Sequence, residues 1–191
     1  MPKLNSRDHA ILTLPNLGLA MAANTSKAQE KAELEFSGGH EIDKKDFGRP
    51  IPLIAAALGV KPEEFRKAFS GVTPAKGRVP TRDEASNNKA ALMKVLATLG
   101  VKNDRLDEVS NYYRFRPQNG ELWQNSPAKG YALIEAGKVR SVVITEAGSG
   151  YSTPPIVSVK GKSAAQLKAT LHFDKDLKKN GGVEKIEVVM D

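Results

Sequence analysis

The spacing of apolar residues changes near Ser110. Before that point apolar residues recur with the period of about 3.6 that is typical of amphipathic helices, and beyond it they alternate as in strands. One alternating segment, residues 32–36, also predicts a short strand ahead of the helices. The pattern therefore predicts an α+β fold, in which N-terminal helical hairpins are followed by a small antiparallel β module that forms a meander, a sandwich or a barrel.

Proline, glycine and acidic residues mark the helix ends in the first part of the chain. Residues 53–58 form an apolar segment that stops at a glycine, and residues 62–69 begin with a proline, which suits the first turn of a helix. A loop rich in glycine and proline follows. Thr81 and Glu84 then have the spacing of a capping box, which predicts a helix over residues 83–99.

The sequence Leu-Gly-Val-Lys occurs twice in the helical part. Its two copies, residues 58–61 and 99–102, lie 41 residues apart. In each copy the glycine can end one helix while the valine packs into the corner before the next, and Leu106 and Val109 supply an apolar face for the last helix. The repeat predicts two helical hairpins whose apolar faces form one four-helix core.

Short alternating segments predict the strands of the β module. They lie at residues 113–116, 131–134, 138–145, 156–159, 166–173 and 183–189. A weak second repeat relates residues 137–144 to residues 182–188, which match in residue type. We expect the last strand to close the sheet.

These patterns divide the chain into a possible signal peptide at residues 1–22, a spacer with a short strand at 23–36, a helical segment at 37–110 and a β module at 111–191. Lys3 and Arg7 precede an apolar run that ends in Ala20-Met21-Ala22, which is the order of a signal peptide and its cleavage motif. A secreted or periplasmic protein is therefore expected. Because Pro15 and Gly18 interrupt the run, a cytoplasmic protein is the alternative. No later segment approaches the roughly 18 apolar residues of a transmembrane helix.

Composition and charge narrow the classes of partner. The 191 residues carry a formal net charge of +7 with a pI near 9.5, which favours acidic partners such as nucleic acid, anionic lipid or acidic polysaccharide. Basic residues are mixed with acidic ones, so there is no continuous basic track. The chain has no cysteine, which excludes disulfides, thiolate metal sites and cysteine nucleophiles.

The segment Gly148-Ser149-Gly150-Tyr151 is the most distinctive local motif. A phosphate-binding loop would need backbone N–H groups and a helix after it, whereas Pro154 and Pro155 lack N–H groups and lead into a strand. We interpret the motif as a structural corner, in which the glycines permit a tight turn and Tyr151 covers the end of the sheet.

Two resemblances to known proteins rest on these residues. Residues 141–159, with the Gly-Ser-Gly-Tyr motif at their centre, resemble the glycine-tyrosine β repeats of bacterial surface and phage structural proteins. Residues 46–50, the first Leu-Gly-Val hairpin and residues 106–114 are similar to a family of uncharacterised exported bacterial proteins. This second similarity covers most of the chain after about Ser37. It implies export and carries no catalytic residues over to this sequence.

Candidate ligand-binding residues cluster after the helices. Six of the 11 aromatic residues lie between Tyr112 and Tyr151, and two arginines lie among them. Aromatic rings stack on bases or sugars, and arginines bind phosphates or carboxylates, so we expect a surface for an acidic or glycan-like partner. Its candidate residues are Tyr112, Tyr113, Arg114, Arg116, Trp123 and Tyr151. The alternative is a strand at residues 113–116 whose aromatic side chains face the core.

Two other functions stay open. The hairpins resemble helix-turn-helix DNA-binding units, although acidic residues such as Glu63 and Glu64 at the start of the second helix would repel phosphates. A small hydrolase would place its site near His40 and Asp43.

The loop around these two residues also offers metal ligands. They are His40, Glu41, Asp43 and Asp46, but the adjacent lysines and the absence of a calcium-loop pattern favour an ordinary polar loop. No catalytic or cofactor-binding motif is recognised. We therefore expect an exported, non-enzymatic binding or envelope-associated protein of unknown ligand, with no cofactor and no metal.

Overall fold

The computed structural model describes residues 29–73, 75, 78 and 80–189, without the side chains of residues 162–165. The expected signal peptide at residues 1–22 lies outside the described residues. In order along the chain, the elements are β1 (Glu30–Ser37), α1 (Ile51–Leu58), α2 (Pro62–Phe69), α3 (Arg82–Leu96), α4 (Asn103–Tyr112), β2 (Lys129–Glu135), β3 (Lys138–Glu146), β4 (Ile156–Val159), β5 (Lys162–His172) and β6 (Gly182–Val189). The predicted α+β class, with helical hairpins and an antiparallel β module, is confirmed.

The β module is a single antiparallel sheet with the strand order β3-β2-β1-β4-β5-β6. β1 lies at its centre, because its first half pairs with β2, where Ala32 faces Ala132, and its second half pairs with β4. The sheet curls until its outer strands approach each other, and the Val183 N–H group donates a hydrogen bond to the Ala147 carbonyl at 2.8 Å. The result is a nearly closed barrel, which takes one strand from before the helices.

The weak repeat of the β module has a structural counterpart. The hairpins β2–β3 and β5–β6 occupy the two ends of the sheet, with β1 and β4 between them, so the strand order is symmetrical about its middle. The matching segments 137–144 and 182–188 supply most of the two outer strands, β3 and β6. The last strand therefore lies where we expected it, beside the opposite edge of the sheet.

The four helices share one apolar core, as the repeat predicts. Leu53 of α1, Phe65 of α2, Leu96 of α3 and Leu106 of α4 are each at most 3% exposed and belong to the same cluster. The second buried cluster belongs to the sheet and contains Leu34 of β1 together with residues of β2, β4, β5 and β6. Each part of the chain thus has its own core.

Both Leu-Gly-Val corners end their helices in the same way. Gly59 and Gly100 have φ angles of 72° and 83°, in the left-handed region that favours glycine. The N–H group of Val60 donates to the Ala55 carbonyl at 3.0 Å, and the equivalent bond in the second corner measures 3.1 Å. This is the Schellman arrangement, in which backbone groups after the glycine satisfy the last carbonyls of the helix.

The predicted capping box is present at the start of α3. The Thr81 N–H group donates to Glu84 Oε2 at 2.8 Å, and the Glu84 N–H group donates to the Thr81 hydroxyl oxygen at 3.2 Å. Arg78 donates to both oxygens of the same carboxylate, at 2.7 and 2.5 Å. The hydrogen bonds from Arg78 and Thr81 lower the pKa of Glu84 to about 2.

The strand expected at residues 113–116 is wrong. The last turn of α4 reaches into this segment, because the Tyr113 N–H group donates to the Val109 carbonyl at 3.1 Å. Tyr113 belongs to the buried face of the helix, while Phe115 packs edge-on against Trp123 with 5.2 Å between ring centroids. The two arginines of the segment are exposed. Aromatic side chains therefore face inward and arginines outward without a strand.

Residues 148–151 form a corner in which several segments of backbone meet. The Gly150 N–H group donates to the Asn180 carbonyl at 2.8 Å, and the Gly150 carbonyl accepts a hydrogen bond from Trp123 Nε1 at 2.8 Å. The corner thus joins the turn before β6 to the segment that precedes β2. These contacts agree with a structural role for the Gly-Ser-Gly-Tyr motif.

Candidate functional site

Three of the six candidate ligand-binding residues lie in the protein interior. Tyr113, Trp123 and Tyr151 are each at most 3% exposed. Their polar atoms have intramolecular partners, since the indole N–H donates to a backbone carbonyl at 2.8 Å and the two hydroxyl oxygens accept hydrogen bonds at 2.8 and 3.0 Å. These three rings pack in the protein interior, so a ligand at the surface cannot stack on them.

Tyr112 and Tyr113 form an edge-to-face pair at the end of α4, with 5.1 Å between ring centroids. Burial raises the pKa of Tyr113, and burial together with the nearby charge of Asp176 raises the pKa of Tyr112. Both phenols are therefore neutral at physiological pH. Tyr112 is only half-buried, so part of its ring is open to solvent.

Arg49, from the loop before α1, and Arg114, which follows α4, lie within electrostatic range of each other. The Arg49 guanidinium lies over the Phe69 ring, with Cζ 5.0 Å from the ring centroid. Desolvation of this guanidinium lowers the pKa of Arg49, and the nearby charge of Arg114 lowers it further, although both residues keep substantial exposure at the surface. Arginine stays protonated in proteins, so both groups carry their charge. We call these two residues the arginine pair.

Within the described residues, no carboxylate neutralises the arginine pair, because none is paired with the guanidinium group of Arg49 or Arg114. The Arg116 guanidinium is likewise without a carboxylate there, although the Arg116 backbone N–H group donates to Glu121 Oε2 at 3.1 Å. Other arginines of the chain do have such partners, as Arg66 shows with Asp46. Guanidinium groups hold carboxylates and phosphates through two parallel hydrogen bonds. Two arginines without carboxylate partners in the described chain are therefore suited to binding an anion.

Phe47 is exposed and held in an unfavourable backbone conformation. Its side chain is 78% exposed, its φ is 49°, and Gly48 follows at 77°. A bulky residue in the left-handed region costs on the order of 1–2 kcal/mol. Buried Asp46 fixes this turn, because Arg66 donates to its two carboxylate oxygens at 2.6 and 3.1 Å. The fold thus keeps an apolar ring exposed, although the backbone conformation at Phe47 lowers the stability of the protein.

A cavity of about 310 Å³ lies beside Phe47. Its apolar wall is formed by Phe47, Ile51, Phe69 and Val72, and we call it the Phe47 pocket. Phe69 is shared, because it lines the pocket and also carries the Arg49 guanidinium on its ring. The volume is at the small end of the range for ligand pockets, which suits one large side chain rather than an extended molecule.

The loop that offers candidate metal ligands uses its carboxylates to bind its own chain. Glu41 accepts hydrogen bonds from the Thr153 hydroxyl and from the Gly39 N–H group, and the Thr153 bond is the main cause of its lowered pKa. Asp43 accepts a hydrogen bond from the Lys45 N–H group at 3.0 Å. In the part of the chain that the structure describes, no group of three or more His, Asp or Glu residues is arranged to hold a metal ion.

His40 packs between two buried aromatic rings. Its ring centroid lies 5.1 Å from that of Tyr151 and 5.8 Å from that of Trp123. Its Nε2 atom is buried and has no hydrogen-bond partner within the described residues. A catalytic base needs its nitrogen within hydrogen-bond reach of the proton that it removes. The surroundings of His40 therefore favour packing over hydrolysis.

The start of α2 is acidic at the surface. Glu63 has a side chain that is 76% exposed, and Glu64 accepts a hydrogen bond from the Lys61 N–H group at 2.9 Å. Carboxylates at a helix N-terminus interact favourably with its dipole. They also lie where the phosphates of DNA would approach the second helix of a helix-turn-helix unit.

Comparisons with known proteins give no relative from which to transfer a function. No family model, no curated protein and no solved structure matches the chain. Across the described residues, no helix combines the length and hydropathy needed to cross a bilayer, and the longest, α3, has 15 residues where about 20 are required.

Sequence reasoning missed two residues of this surface, Phe47 and Arg49. For Phe47 a signal was present, since a lone aromatic residue stands between Asp46 and Gly48 in a polar loop. For Arg49 there was none, because its approach to Arg114 depends on how the loop before α1 packs beside the end of α4.

Proposed function

We propose that this chain is a non-enzymatic binding protein whose arginine pair binds an acidic partner. The main supporting observation is that two exposed guanidinium groups within electrostatic range of each other, those of Arg49 and Arg114, have no carboxylate partner in the described chain, with Arg49 held over the Phe69 ring. Two like charges close together oppose folding. A bound anion would be attracted to both guanidinium groups and would offset the repulsion between them. The surface therefore favours negatively charged groups.

Charge alone would give a weak complex. Exposed ion pairs contribute only about 0–1 kcal/mol each. The arginine pair and Arg116 together therefore supply little affinity. Their main effects are to select anions and to increase the rate of encounter. Apolar contact has to supply the remainder, and the exposed ring of Phe47 is available for it.

An acidic partner is supported over a neutral glycan. Sugar recognition would need an aromatic face that is open to solvent, whereas Trp123 and Tyr151 are buried. Tyr112 is only partly exposed. The fork geometry of arginine instead fits anionic groups, both carboxylates and phosphates. Acidic residues on the same part of the surface, such as exposed Glu63, would repel a continuous row of phosphates, so we favour separate carboxylates.

We further propose that the protein acts at the cell envelope after export. The order of charged, apolar and small residues in 1–22 supports this, as does the resemblance to exported bacterial proteins. Mass spectrometry of the protein from its native host provides the check. A mature N-terminus directly after Ala22 is expected, and an intact Met1 on the whole population would contradict export.

A nucleic-acid-binding protein is the alternative function. The net charge of +7 favours it, as do the exposed guanidinium groups of Arg114 and Arg116, which have no carboxylate partner among the described residues. This alternative predicts salt-dependent binding that weakens in Arg114→Ala and in Arg116→Ala. Exposed Glu63 on α2 argues against a continuous phosphate contact across the hairpins.

The proposed function is tested by calorimetric titration with poly-glutamate at low salt. The double variant Arg49→Ala/Arg114→Ala should bind at least about fivefold more weakly than wild type, which corresponds to roughly 1 kcal/mol. The matched control Arg82→Ala/Lys138→Ala removes the same charge elsewhere on the surface. An equal loss in the control would show that net charge alone attracts the polymer, and the proposal would fall.

A further inference from the structure

We propose that the Phe47 pocket holds a large apolar side chain of the acidic partner, so that the partner is a polypeptide segment in which such a side chain is flanked by carboxylates. This inference rests on the proposed function and specifies its partner. It begins from the cavity of about 310 Å³ beside Phe47, which lies at the protein surface next to the arginine pair.

Specific contacts hold the strained turn that exposes Phe47. The ring is 78% exposed although its backbone has a φ of 49°, so the fold accepts strain without burying the ring. The conformation is fixed by the Asp46–Arg66 ion pair, whose carboxylate is almost completely buried. Strain that persists at an exposed position points to a use for that position.

The pocket and the arginine pair form one surface through Phe69. One side of this side chain contributes to the apolar wall, and the Arg49 guanidinium lies over its ring at 5.0 Å. A ligand side chain in the pocket would therefore place its flanking groups beside Arg49, which lies within electrostatic range of Arg114. Carboxylates at these flanking positions would complement both charges.

The size of the pocket also favours a peptide. A volume of 310 Å³ is about ten times the share of one water molecule in liquid water, which admits one leucine or phenylalanine side chain with room for adjustment. A central apolar side chain in a pocket, surrounded by polar contacts, is the usual arrangement of an interface hot spot.

A single-stranded nucleic acid is the main rival, because bases stack on exposed aromatic rings. Its phosphates would have to follow a basic track, and the described residues around the pocket do not form one. Lys45 is paired with Asp43, and Arg66 is shared by Asp46 and by the exposed Glu63. Separate carboxylates beside one apolar side chain match this mixed surface better than a continuous row of phosphates.

Two peptides test the inference with the full chain. One has a central phenylalanine flanked on each side by glutamates, and the other has serine in place of phenylalanine. Wild type should bind the phenylalanine peptide about tenfold more tightly than the serine peptide. In Phe47→Asn this difference should disappear, whereas Ile156→Thr, which removes an exposed apolar side chain from β4, should keep it.

Phe47→Asn is expected to fold well, because asparagine tolerates positive φ and the lost ring is exposed. Its thermal midpoint should rise or stay unchanged while its affinity for the phenylalanine peptide falls. A lower midpoint with unchanged affinity would show that Phe47 serves the fold, and the inference would be overturned.

The outcomes separate this inference from the proposed function. If both peptides bind equally and both require Arg49 and Arg114, the acidic partner stands and the pocket inference falls. If neither peptide binds, both proposals fall together. If an oligothymidylate binds more tightly than the phenylalanine peptide and loses that binding in Phe47→Asn, the surface is a nucleic-acid site and the polypeptide partner is rejected.

Discussion

Asn180 donates a hydrogen bond from Nδ2 to the Tyr113 hydroxyl at 2.8 Å, across the boundary between the helical part and the sheet. The same amide donates to the Leu53 carbonyl of α1 at 2.7 Å, and its Oδ1 accepts a hydrogen bond from the Asp174 N–H group at 3.1 Å. Asn180 has no exposed surface. One buried side chain therefore links the turn before β6 to α1 and to the end of α4.

Asn180→Ala should destabilise the protein by about 3 kcal/mol, because it leaves buried hydrogen-bonding groups without partners. Tyr113→Phe should cost only about 1 kcal/mol, since the Asn180 amide keeps its bond to the Leu53 carbonyl. Urea unfolding of the purified variants measures both values, with the exposed Asn119→Ala as control. A loss in Asn180→Ala no larger than in the control would contradict this account of the boundary.

The corner at residues 148–151 should depend on glycine for packing as well as for conformation. A Cβ atom on Gly150 would lie 2.7 Å from Asn125 Cβ and 2.8 Å from the Gln124 carbonyl oxygen. Gly120 has a similar φ of 72° but nothing within 4 Å. We expect Gly120→Ala to cost about 1–2 kcal/mol for its φ alone and Gly150→Ala roughly 1–3 kcal/mol more for overpacking.

Thermal unfolding of the two glycine variants isolates the packing contribution, because the conformational cost is common to both. Equal costs would show that the corner can move away from the added methyl group. In that case the contacts of Gly150 with the segment before β2 would not determine the shape of the β module.

His40→Phe should leave the protein as stable as wild type or stabilise it by up to about 1 kcal/mol, because the substitution keeps the ring contacts and removes a buried nitrogen that has no partner in the described chain. His40→Ala should lose roughly 2 kcal/mol or more, since it leaves a cavity beside Trp123 and Tyr151. Chemical denaturation compares the two. A large loss in His40→Phe would reveal a polar role for the imidazole and would reopen the hydrolase hypothesis.

The capping box of α3 should make a small contribution to the dependence of stability on pH. The folded pKa of Glu84 is about 2, below the ordinary value of 4.5. A depressed carboxyl pKa stabilises the fold above the ordinary value, and this stability is lost as the pH falls from about 4.5 to about 2. Thermal midpoints across this range should therefore decline less steeply in Glu84→Gln than in wild type, with Glu146→Gln as control. Identical slopes in Glu84→Gln and wild type would contradict the ion pair with Arg78.

Local signals made much of the fold predictable from the sequence. The glycines at positions 59 and 100 and the capping box at Thr81 determine helix ends by contacts within a few residues, and alternating apolar residues identify the strands. The alternation at residues 113–116 wrongly predicts a strand. The end of α4 and the loop after it also place every second side chain of this segment toward the core. A period of 2 over four residues does not distinguish these cases.

The candidate site was harder to predict, because it depends on residues far apart in the sequence. Arg49 and Arg114 are separated by 65 positions and meet only through the packing of the helical part. Burial of Trp123 likewise depends on its bond to the corner at Gly150. Residue type alone suggested an aromatic surface, while the fold places most of those rings inside and leaves the arginines and Phe47 outside.

The most direct test of the central claim is to map where an acidic polymer contacts the protein. Amide chemical shifts of the isotope-labelled full chain are recorded during titration with poly-glutamate. The account predicts shifts concentrated in the loop from Lys45 to Ile51, at the end of α2 around Phe69 and at residues 114–116. Shifts spread over the lysines of β3, β5 and β6, with none around Arg49 and Arg114, would contradict it.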